Sequence, residues 1–300
     1  MIEVNGVEKS FGTNKIIHQV SFAVQPGSIY GLLGSNGAGK TTLMRMIAGI
    51  LRQDSGEILV LDHPIYENVS TKQRVVFIPD ALYFLPQYTM RQLANYYASL
   101  YEQWDEERYT NLTNLFKLDE NKKVSQFSKG LQRQVAFILS MSVKPDVLIL
   151  DEPFDGLDAV MRKKVRSMII QDVAEREMSV LLSSHNLREV EEICDHVGIL
   201  HHGEILLERD LDALKEDVHK VQVAFKDSGE HDLTSSDLDI LYKEKRGSVI
   251  LLIVKGEEKK VMTEIEKIGP VLMDRLPLTL EEIFIYEMEG VGYAIENVLV

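Results

Sequence analysis

A glycine-rich loop that ends in a lysine is the first segment whose residues could do chemistry. It lies in LLGSNGAGKTTLM, residues 32–44, and holds three glycines within six residues. Glycine inside a strand or helix costs roughly 0.5–1 kcal/mol relative to alanine, so this density indicates that the backbone itself contacts a ligand. Gly34, Gly39, Lys40 and Thr41 fit G-x-x-x-x-G-K-[ST], a phosphate-binding loop whose N–H groups and following helix N-terminus hold the anion. The alternative is an ordinary glycine-rich turn.

The segments on either side of the loop have the character that phosphate binding requires. SIYGLLG (28–34) predicts a buried strand, and TTLMRMIAGI (41–50) predicts an amphipathic helix. Lys40 would reach the β- and γ-phosphates of a nucleotide, and Thr41 would offer its hydroxyl to Mg²⁺. The other predicted phosphate contacts are Ser35, Asn36, Gly37, Ala38, Gly39 and Thr42.

Two adjacent carboxylates follow an apolar run in DVLILDEPFDGLD, residues 146–158. Residues 147–150 are typical of a central parallel strand, and open α/β sheets bind ligands at the carboxyl ends of such strands. Asp151 would hold Mg²⁺ directly or through water. Glu152 would then act as the general base for an attacking water, or at least orient it. The alternative is an acidic strand end exposed to solvent.

The composition limits the class of protein. The chain has 300 residues, of which 45% are hydrophobic, so we expect two domains and a sizeable core. No segment approaches the ~20 apolar residues that span a bilayer, and the start, MIEVNGVEKSFG, has no basic region followed by a long apolar one. The only cysteine is Cys194, which suits a reducing compartment, and these features predict a cytoplasmic chain. The net charge of −14 argues against nucleic acid as a partner.

A third motif connects the loop to one family. FSKGLQRQV (127–135) resembles the signature segment of the ATP-binding subunits of ABC transporters, and the resemblance extends over about residues 1–215. In that family the segment contacts the γ-phosphate of ATP held by the opposite subunit, a role that falls on Ser128 and Gly130. Lys129 replaces a usual glycine and Leu131 a usual glutamine, as in drug, peptide and polysaccharide exporters. Taken alone, the segment could be an ordinary helix capped by serine.

The resemblance implies a fold and further site residues. The fold is α/β, a phosphate-loop NTPase core with an antiparallel β subdomain and a helical subdomain. His185 resembles the switch histidine that touches the γ-phosphate, although a lone histidine could be structural. Phe11 resembles the aromatic residue that stacks on adenine, with a core aromatic as the alternative. DGLD (155–158) resembles the loop that crosses to the partner subunit, which makes Asp158 a candidate nucleotide contact.

One family residue is replaced. After RVVFIP (74–79) the family has a glutamine that contacts Mg²⁺ and the attacking water and signals to the membrane partner, whereas this chain has Asp80. A carboxylate is a good ligand for Mg²⁺, but it is shorter than glutamine and adds a charge. We therefore predict Asp80 as a metal ligand, with Gln87 as a possible substitute for the glutamine.

Two further regions, residues 83–118 and 216–300, have predicted secondary structure and no catalytic motif. Residues 83–118 are rich in aromatic residues and resemble the helical subdomain; most of these side chains should be core, while exposed tyrosines would suit a groove for a helix of a membrane subunit. Residues 216–300 predict a small accessory α+β domain. Its predicted strands are 218–225, 247–256 and 270–276, and its predicted helices are 257–269 and 278–290. A regulatory or dimer-contact role is favoured over a second active site, and an inert covering is the alternative.

Together these features predict an ATPase that uses ATP and Mg²⁺ and works as a homodimer or heterodimer with a second ABC ATPase subunit. It would be bound to a separate transmembrane permease subunit at the inner face of the membrane, in a transporter of the exporter type. A soluble ABC ATPase of cofactor assembly or of the ribosome is the alternative from another class. A nucleotide-sensing module without turnover is disfavoured, because Glu152 and His185 are both present.

Overall fold

The predicted loop and carboxylates belong to a six-stranded sheet. The computed structural model describes residues 1–225 and 238–283. Up to residue 210 its strands are β1 (Ile2–Phe11), β2 (Asn14–Val24), β3 (Ile29–Leu33), β4 (Ser55–Val60), β5 (His63–Pro64), β6 (Val75–Ile78), β7 (Val147–Asp151), β8 (Ser179–Ser184), β9 (His196–His201) and β10 (Glu204–Asp210). The six-stranded sheet has the order β10-β9-β3-β8-β7-β6, and a four-stranded sheet has the order β2-β1-β4-β5.

The central strands are buried at every residue of β3, β7 and β8. Their apolar character fits a parallel sheet that is covered on both faces, and the pairs β3/β8, β3/β9, β7/β8 and β6/β7 are parallel. The second sheet is antiparallel, and its inward residues pack with the central sheet in one hydrophobic cluster. This arrangement confirms the predicted phosphate-loop NTPase fold.

Helices connect these strands. They are α1 (Lys40–Ile47), α2 (Val69–Lys72), α3 (Met90–Leu100), α4 (Glu106–Phe116), α5 (Lys129–Ser142), α6 (Ala159–Arg176) and α7 (Leu187–Glu191). The aromatic region around α3 and α4 contains core and surface residues: Tyr109 is fully buried, whereas Tyr83 is 81% exposed and Tyr96 is 47% exposed. Within the described residues, each helix is too short or too polar to cross a bilayer.

The chain divides into two compact units, Met1–Glu208 and Arg209–Val300, so the division precedes the position near residue 215 that the motifs suggest. The second unit contains α8 (Leu211–Asp217), β11 (Val218–Ala224), β12 (Asp239–Arg246), β13 (Val249–Lys255), α9 (Glu258–Lys267) and β14 (Leu272–Leu276). Its antiparallel sheet has the order β12-β13-β11-β14, and its core includes Val221, Leu252 and Val261.

The elements predicted for this second unit are confirmed at β11, β13, α9 and β14. The sequence missed β12, because DILYKEKR contains five charged residues and obtains its stability by pairing along β13. Residues 280–283 are helical at the start of the helix predicted over 278–290, and the remainder of that prediction lies outside the described residues.

A buried ion-pair network joins α4 to α6. Asp172 is 2% exposed, and its two carboxylate oxygens accept hydrogen bonds from Arg108 at 2.6 Å and from Arg176 at 2.5 Å. Removing one partner of a buried pair leaves uncompensated charge in a medium of low dielectric constant. The network therefore fixes the helical region to the core of the first unit.

Replacing Asp172 with alanine should lower the free energy of unfolding by about 3–5 kcal/mol, the range measured when a buried ion pair loses one partner. Chemical denaturation would measure the change. The matched control is Asp146→Ala, because Asp146 pairs at 2.6 Å with an Arg74 that is half exposed. An exposed pair contributes at most about 1 kcal/mol. Equal losses in the two variants would contradict the role assigned to Asp172.

Candidate active site

A cavity of about 380 Å³ lies at the edge where the parallel strands end. The chain leaves β3 for the phosphate loop, β7 ends at Asp151, and β6 is followed by Asp80. The lining residues are Phe11, Ile16, Ser35, Asn36, Gly37, Gly39, Lys40, Thr41, Thr42, Asp80, Asp151 and Glu152. The structure thus brings together residues that the sequence predicted in four separate segments: Phe11, the phosphate loop, Asp80, and the pair Asp151 and Glu152.

The loop requires glycine where its backbone passes close to other chain segments. A Cβ on Gly34 would come within 2.3 Å of the Leu200 carbonyl oxygen, and one on Gly39 within 2.7 Å of Ile17 Cδ1. Gly39 also has a φ of +109° and precedes the first residue of α1, so its conformation disfavours any other residue. Ala38 is 4% exposed and does not line the cavity, and its N–H donates to the Ser35 carbonyl within the loop.

Lys40 is buried inside the loop, with 6% of its surface exposed. Its ammonium donates to the carbonyls of Gly34 and Ser35, at 2.5 and 3.2 Å, and lies 3.6 Å from Glu152 Oε1. A lysine ammonium held inside a loop that precedes a helix N-terminus is suited to bind a polyphosphate.

The pair predicted to hold a metal is assembled. Thr41 Oγ1 donates to Asp151 Oδ2 at 2.7 Å, and Ser183 Oγ donates to Asp151 Oδ1 at 2.7 Å. Asp151 is 1% exposed, so its carboxylate is fixed at the end of β7. A hydroxyl and a carboxylate side by side fit Mg²⁺, which prefers oxygen ligands and binds through few carboxylates.

Glu152 is held by its backbone and has one carboxylate oxygen available. Its φ is +47°, its N–H donates to Ser183 Oγ at 3.0 Å, and its carbonyl accepts from Arg133 at 2.6 Å. Oε2 lies 2.9 Å from His185 Nδ1, whereas Oε1 is buried without a hydrogen-bond partner among the described residues. The Lys40 ammonium, 3.6 Å from Oε1, compensates its charge without forming a hydrogen bond, so Oε1 keeps the capacity to accept a hydrogen bond from a ligand.

His185 lies beside the cavity and does not line it. Half of its side chain is exposed, and it contacts the site through Glu152. The neighbouring Asn186 caps α7. Burial raises the pKa of the nearby Glu189 carboxyl, which accepts a hydrogen bond from Ser184. The raised pKa means that burial favours the protonated, uncharged form of this carboxyl.

Phe11 and Asp80 both line the cavity. Phe11 is 51% exposed, so the alternative of a core aromatic is wrong. Asp80 Oδ1 accepts from Arg133 at 3.2 Å. Gln87 accepts a hydrogen bond from Lys123 at 2.8 Å and does not line the cavity. Of the two candidates for the role of the family glutamine, only Asp80 therefore lines the cavity.

The signature segment, residues 127–135, does not line the cavity of the phosphate loop. Ser128 caps α5 by accepting from the Leu131 N–H at 3.4 Å, and Asp158 caps α6. A Cβ on Gly130 would come within 2.7 Å of the Gly156 carbonyl oxygen, so the signature packs against the DGLD loop. None of Ser128, Gly130 and Asp158 lines the cavity of the phosphate loop.

Three residues of the site were not predicted. Ile16 lines the cavity, Ser183 hydrogen-bonds to Asp151 and Glu152, and Arg133 hydrogen-bonds to Glu152 and Asp80. Of these three residues, only Arg133 could have been suspected from the sequence, because a charged residue on the largely buried helix α5 needs a partner inside the protein.

The sequence profile described as ABC transporter matches residues 17–155. The ABC transporter ATP-binding protein YtrB of Bacillus subtilis (strain 168) is 34% identical over 290 residues, which cover 97% of this chain and 99% of YtrB. The bacitracin transport ATP-binding protein BcrA of Bacillus licheniformis is 33% identical, over 72% of each chain. A solved structure of an ATP-binding subunit of an ABC transporter has a TM-score of 0.67 and 26% identity, and the match covers 72% of this chain and 92% of that one.

The fold and the loop thus define a phosphate-loop ATPase. The chain belongs to the ABC transporter ATP-binding proteins, as its full-length similarity to YtrB shows. It binds ATP and hydrolyses it, which confirms the family and the activity predicted from the motifs.

Proposed function

We propose that the chain drives an exporter, with Glu152 as the base or orienting group for the water that attacks ATP. The observation that carries this proposal is the Glu152 carboxylate, which has one oxygen 2.9 Å from His185 and the other without a hydrogen-bond donor in the described structure. That second oxygen can accept a hydrogen bond from a water at the γ-phosphate, and His185 orients the carboxylate and contacts the phosphate.

The remaining cavity residues bind the nucleotide. Lys40 neutralises the β- and γ-phosphates, and the backbone of residues 35–42 holds them together with the hydroxyls of Thr41 and Thr42. Phe11 stacks on adenine with its exposed ring. Thr41 and Asp151 hold Mg²⁺, with Asp80 as a further oxygen ligand; the bound ion would neutralise charge that develops on the phosphate oxygens.

Two copies, or this chain and a related one, complete each site. Ser128 and Gly130 do not line the cavity of their own chain, and Ser128 starts a helix whose N–H groups suit an anion. We infer that they contact the γ-phosphate of ATP held by the partner, with Asp158 in the loop between the subunits. Residues 216–300 would form the accessory domain of each subunit.

A groove on the first unit suits a membrane subunit. A cavity of about 510 Å³ is lined by the end of α1, by β6 and by aromatic residues that include Tyr66 and Tyr101. Ile50 lies in it and is 56% exposed. The groove also contains Glu67 and Lys72, and this mixture of aromatic, aliphatic and charged surface suits a partly polar helix of a permease, which would hold the chain at the inner face of the membrane.

Export is favoured over import by two features. The related BcrA is a bacitracin transport protein, and Lys129 and Leu131 give the signature the form seen in exporters. The full-length similarity to a transporter subunit does not favour the alternative of a soluble ABC ATPase without a permease.

Replacing Glu152 with glutamine should preserve ATP affinity and lower the hydrolysis rate at least about 10²-fold, the usual contribution of a general base. An amide cannot take the proton of the attacking water, and the variant should accumulate as an ATP-dependent dimer. Phosphate release and a direct ATP titration would measure the two effects. Glu107→Gln, an exposed position on α4, is the control, and turnover like that of the unchanged chain would remove Glu152 from this role.

The shared site can be tested by mixing inactive variants. Lys40→Ala loses its own phosphate contact and keeps the signature, whereas Ser128→Arg does the reverse. Each variant should be inactive alone, and a mixture should recover activity because a mixed dimer contains one intact site. A mixture of Lys40→Ala with Glu152→Gln is the control, since both defects lie on the same side of the site and no intact site can form. Failure of the first mixture would argue against a signature acting across the dimer.

The groove is tested with Ile50→Asp. A charge there should prevent docking of the apolar side of that helix, so the variant should no longer recover a membrane protein from detergent-solubilised membranes, while ATP titration verifies that it is folded. Leu115→Asp is the matched control, because Leu115 is also about half exposed but lies on α4 outside the groove. Recovery by Ile50→Asp equal to that by the control would place the permease contact elsewhere.

A further inference from the structure

Arg133 is a buried cation on α5 to which the proposed reaction gives no part. It is 7% exposed and lies five residues after Ser128, in the first turns of the signature helix. A guanidinium carries five N–H donors in a rigid planar fork, so it can hold several acceptors in one geometry. All of its hydrogen bonds in the structure go to residues that line the ATP cavity.

The first contact fixes the backbone of Glu152. Arg133 Nη1 donates to the Glu152 carbonyl at 2.6 Å. Glu152 has a φ of +47°, which is uncommon for a residue other than glycine, and the orientation of its peptide group needs support from its surroundings. That orientation directs the carboxylate to Lys40 and His185. Arg133 therefore stabilises the conformation that places the reacting carboxylate.

The second contact restrains Asp80. Arg133 Nη2 donates to the Asp80 carbonyl at 2.9 Å and to its Oδ1 at 3.2 Å. The Asp80 side chain is 56% exposed and lines the ATP cavity together with Asp151 and Glu152. The Asp80 carboxylate therefore interacts both with Arg133 and with any cation in the cavity. The ion pair with Arg133 reduces the attraction of this carboxylate for such a cation.

We propose that Arg133 is a positioning residue that sets the conformation of Glu152 and limits the contribution of Asp80 to binding Mg²⁺. This inference rests on the proposed roles of Glu152 and Asp80. Because Arg133 and the Ser128 cap belong to one continuous helix, the segment that contacts the partner's ATP and the group that orients the attacking water are joined by a single side chain.

Two substitutions in the full chain test the proposal. Arg133→Gln removes the charge and the fork, and Arg133→Lys keeps a charge without the fork. Both should leave ATP affinity in a direct titration unchanged. Both should lower kcat, by about tenfold or more for Arg133→Gln, because a displacement of about 1 Å in a reacting group costs up to about 10²-fold.

The Mg²⁺ dependence separates this role from a structural one. Arg133→Gln frees the Asp80 carboxylate, so half-maximal hydrolysis should require less Mg²⁺ than in the unchanged chain. Adding Asp80→Asn to Arg133→Gln should abolish that decrease. General loosening of the fold would raise the requirement or leave it unchanged, and it would not depend on the charge of Asp80.

Arg74→Gln is the matched control, since it removes another ion-paired arginine at the opposite end of β6 from Asp80 and should change neither kcat nor the Mg²⁺ curve. Thermal unfolding checks each variant, and Arg133→Lys decides the outcome should Arg133→Gln not fold. Unchanged kcat in either variant, or a Mg²⁺ curve of Arg133→Gln that coincides with that of the unchanged chain, would overturn the proposal. Normal ATP hydrolysis by the Glu152→Gln variant would instead refute the proposed role of Glu152. Failure of the Arg133 proposal and failure of the Glu152 assignment are therefore distinguishable.

Discussion

The buried carboxylate of Asp151 is the constraint on which the site depends. It is almost completely removed from solvent, and it accepts hydrogen bonds from Thr41 of α1 and Ser183 of β8. A charge in this position is tolerable only when its lone pairs are satisfied, so the loop helix and two adjacent strands must meet there. Because Asp151 is in register with Ser183 in a parallel ladder, the backbone of the sheet determines these distances. The phosphate loop and the acidic residues Asp151 and Glu152 are therefore positioned by the most buried part of the fold.

Charges alternate around that centre. Lys40 lies between loop carbonyls and Glu152, while Arg133 lies between Glu152 and Asp80. Both cations are less than a tenth exposed, and each contacts an acidic residue of the cavity. This arrangement permits two carboxylate residues to stay close to a site that must also receive a highly charged anion. It also explains why substituting a single charge should change the geometry of its neighbours as well as the net charge.

The sequence predicted the parts of the fold and site that depend on short segments. The phosphate loop, the apolar strand before Asp151 and the cap of α5 each have a local pattern with a physical cause, and all are present in the structure. The partners of Arg133 could not be predicted, because they are 19 and 53 residues away along the chain and only the fold brings them together. The strand β12 was missed for a related reason, since its stability comes from pairing with β13 rather than from its own composition.

The hydrogen bonds of Lys40 to the carbonyls of Gly34 and Ser35 have a consequence for the energetics of ATP binding. The ammonium is already removed from water when the protein folds, so the free-energy cost of stripping its hydration shell belongs to folding and not to ligand binding. When a phosphate binds, its oxygens replace the neutral carbonyls, and not water, as the hydrogen-bond acceptors of the ammonium. The bonds between ammonium and phosphate join two charged groups and are stronger, so they favour this replacement. A loop built this way gains selectivity for anions: a neutral ligand of the same shape would have to break the lysine's internal bonds without forming stronger ones.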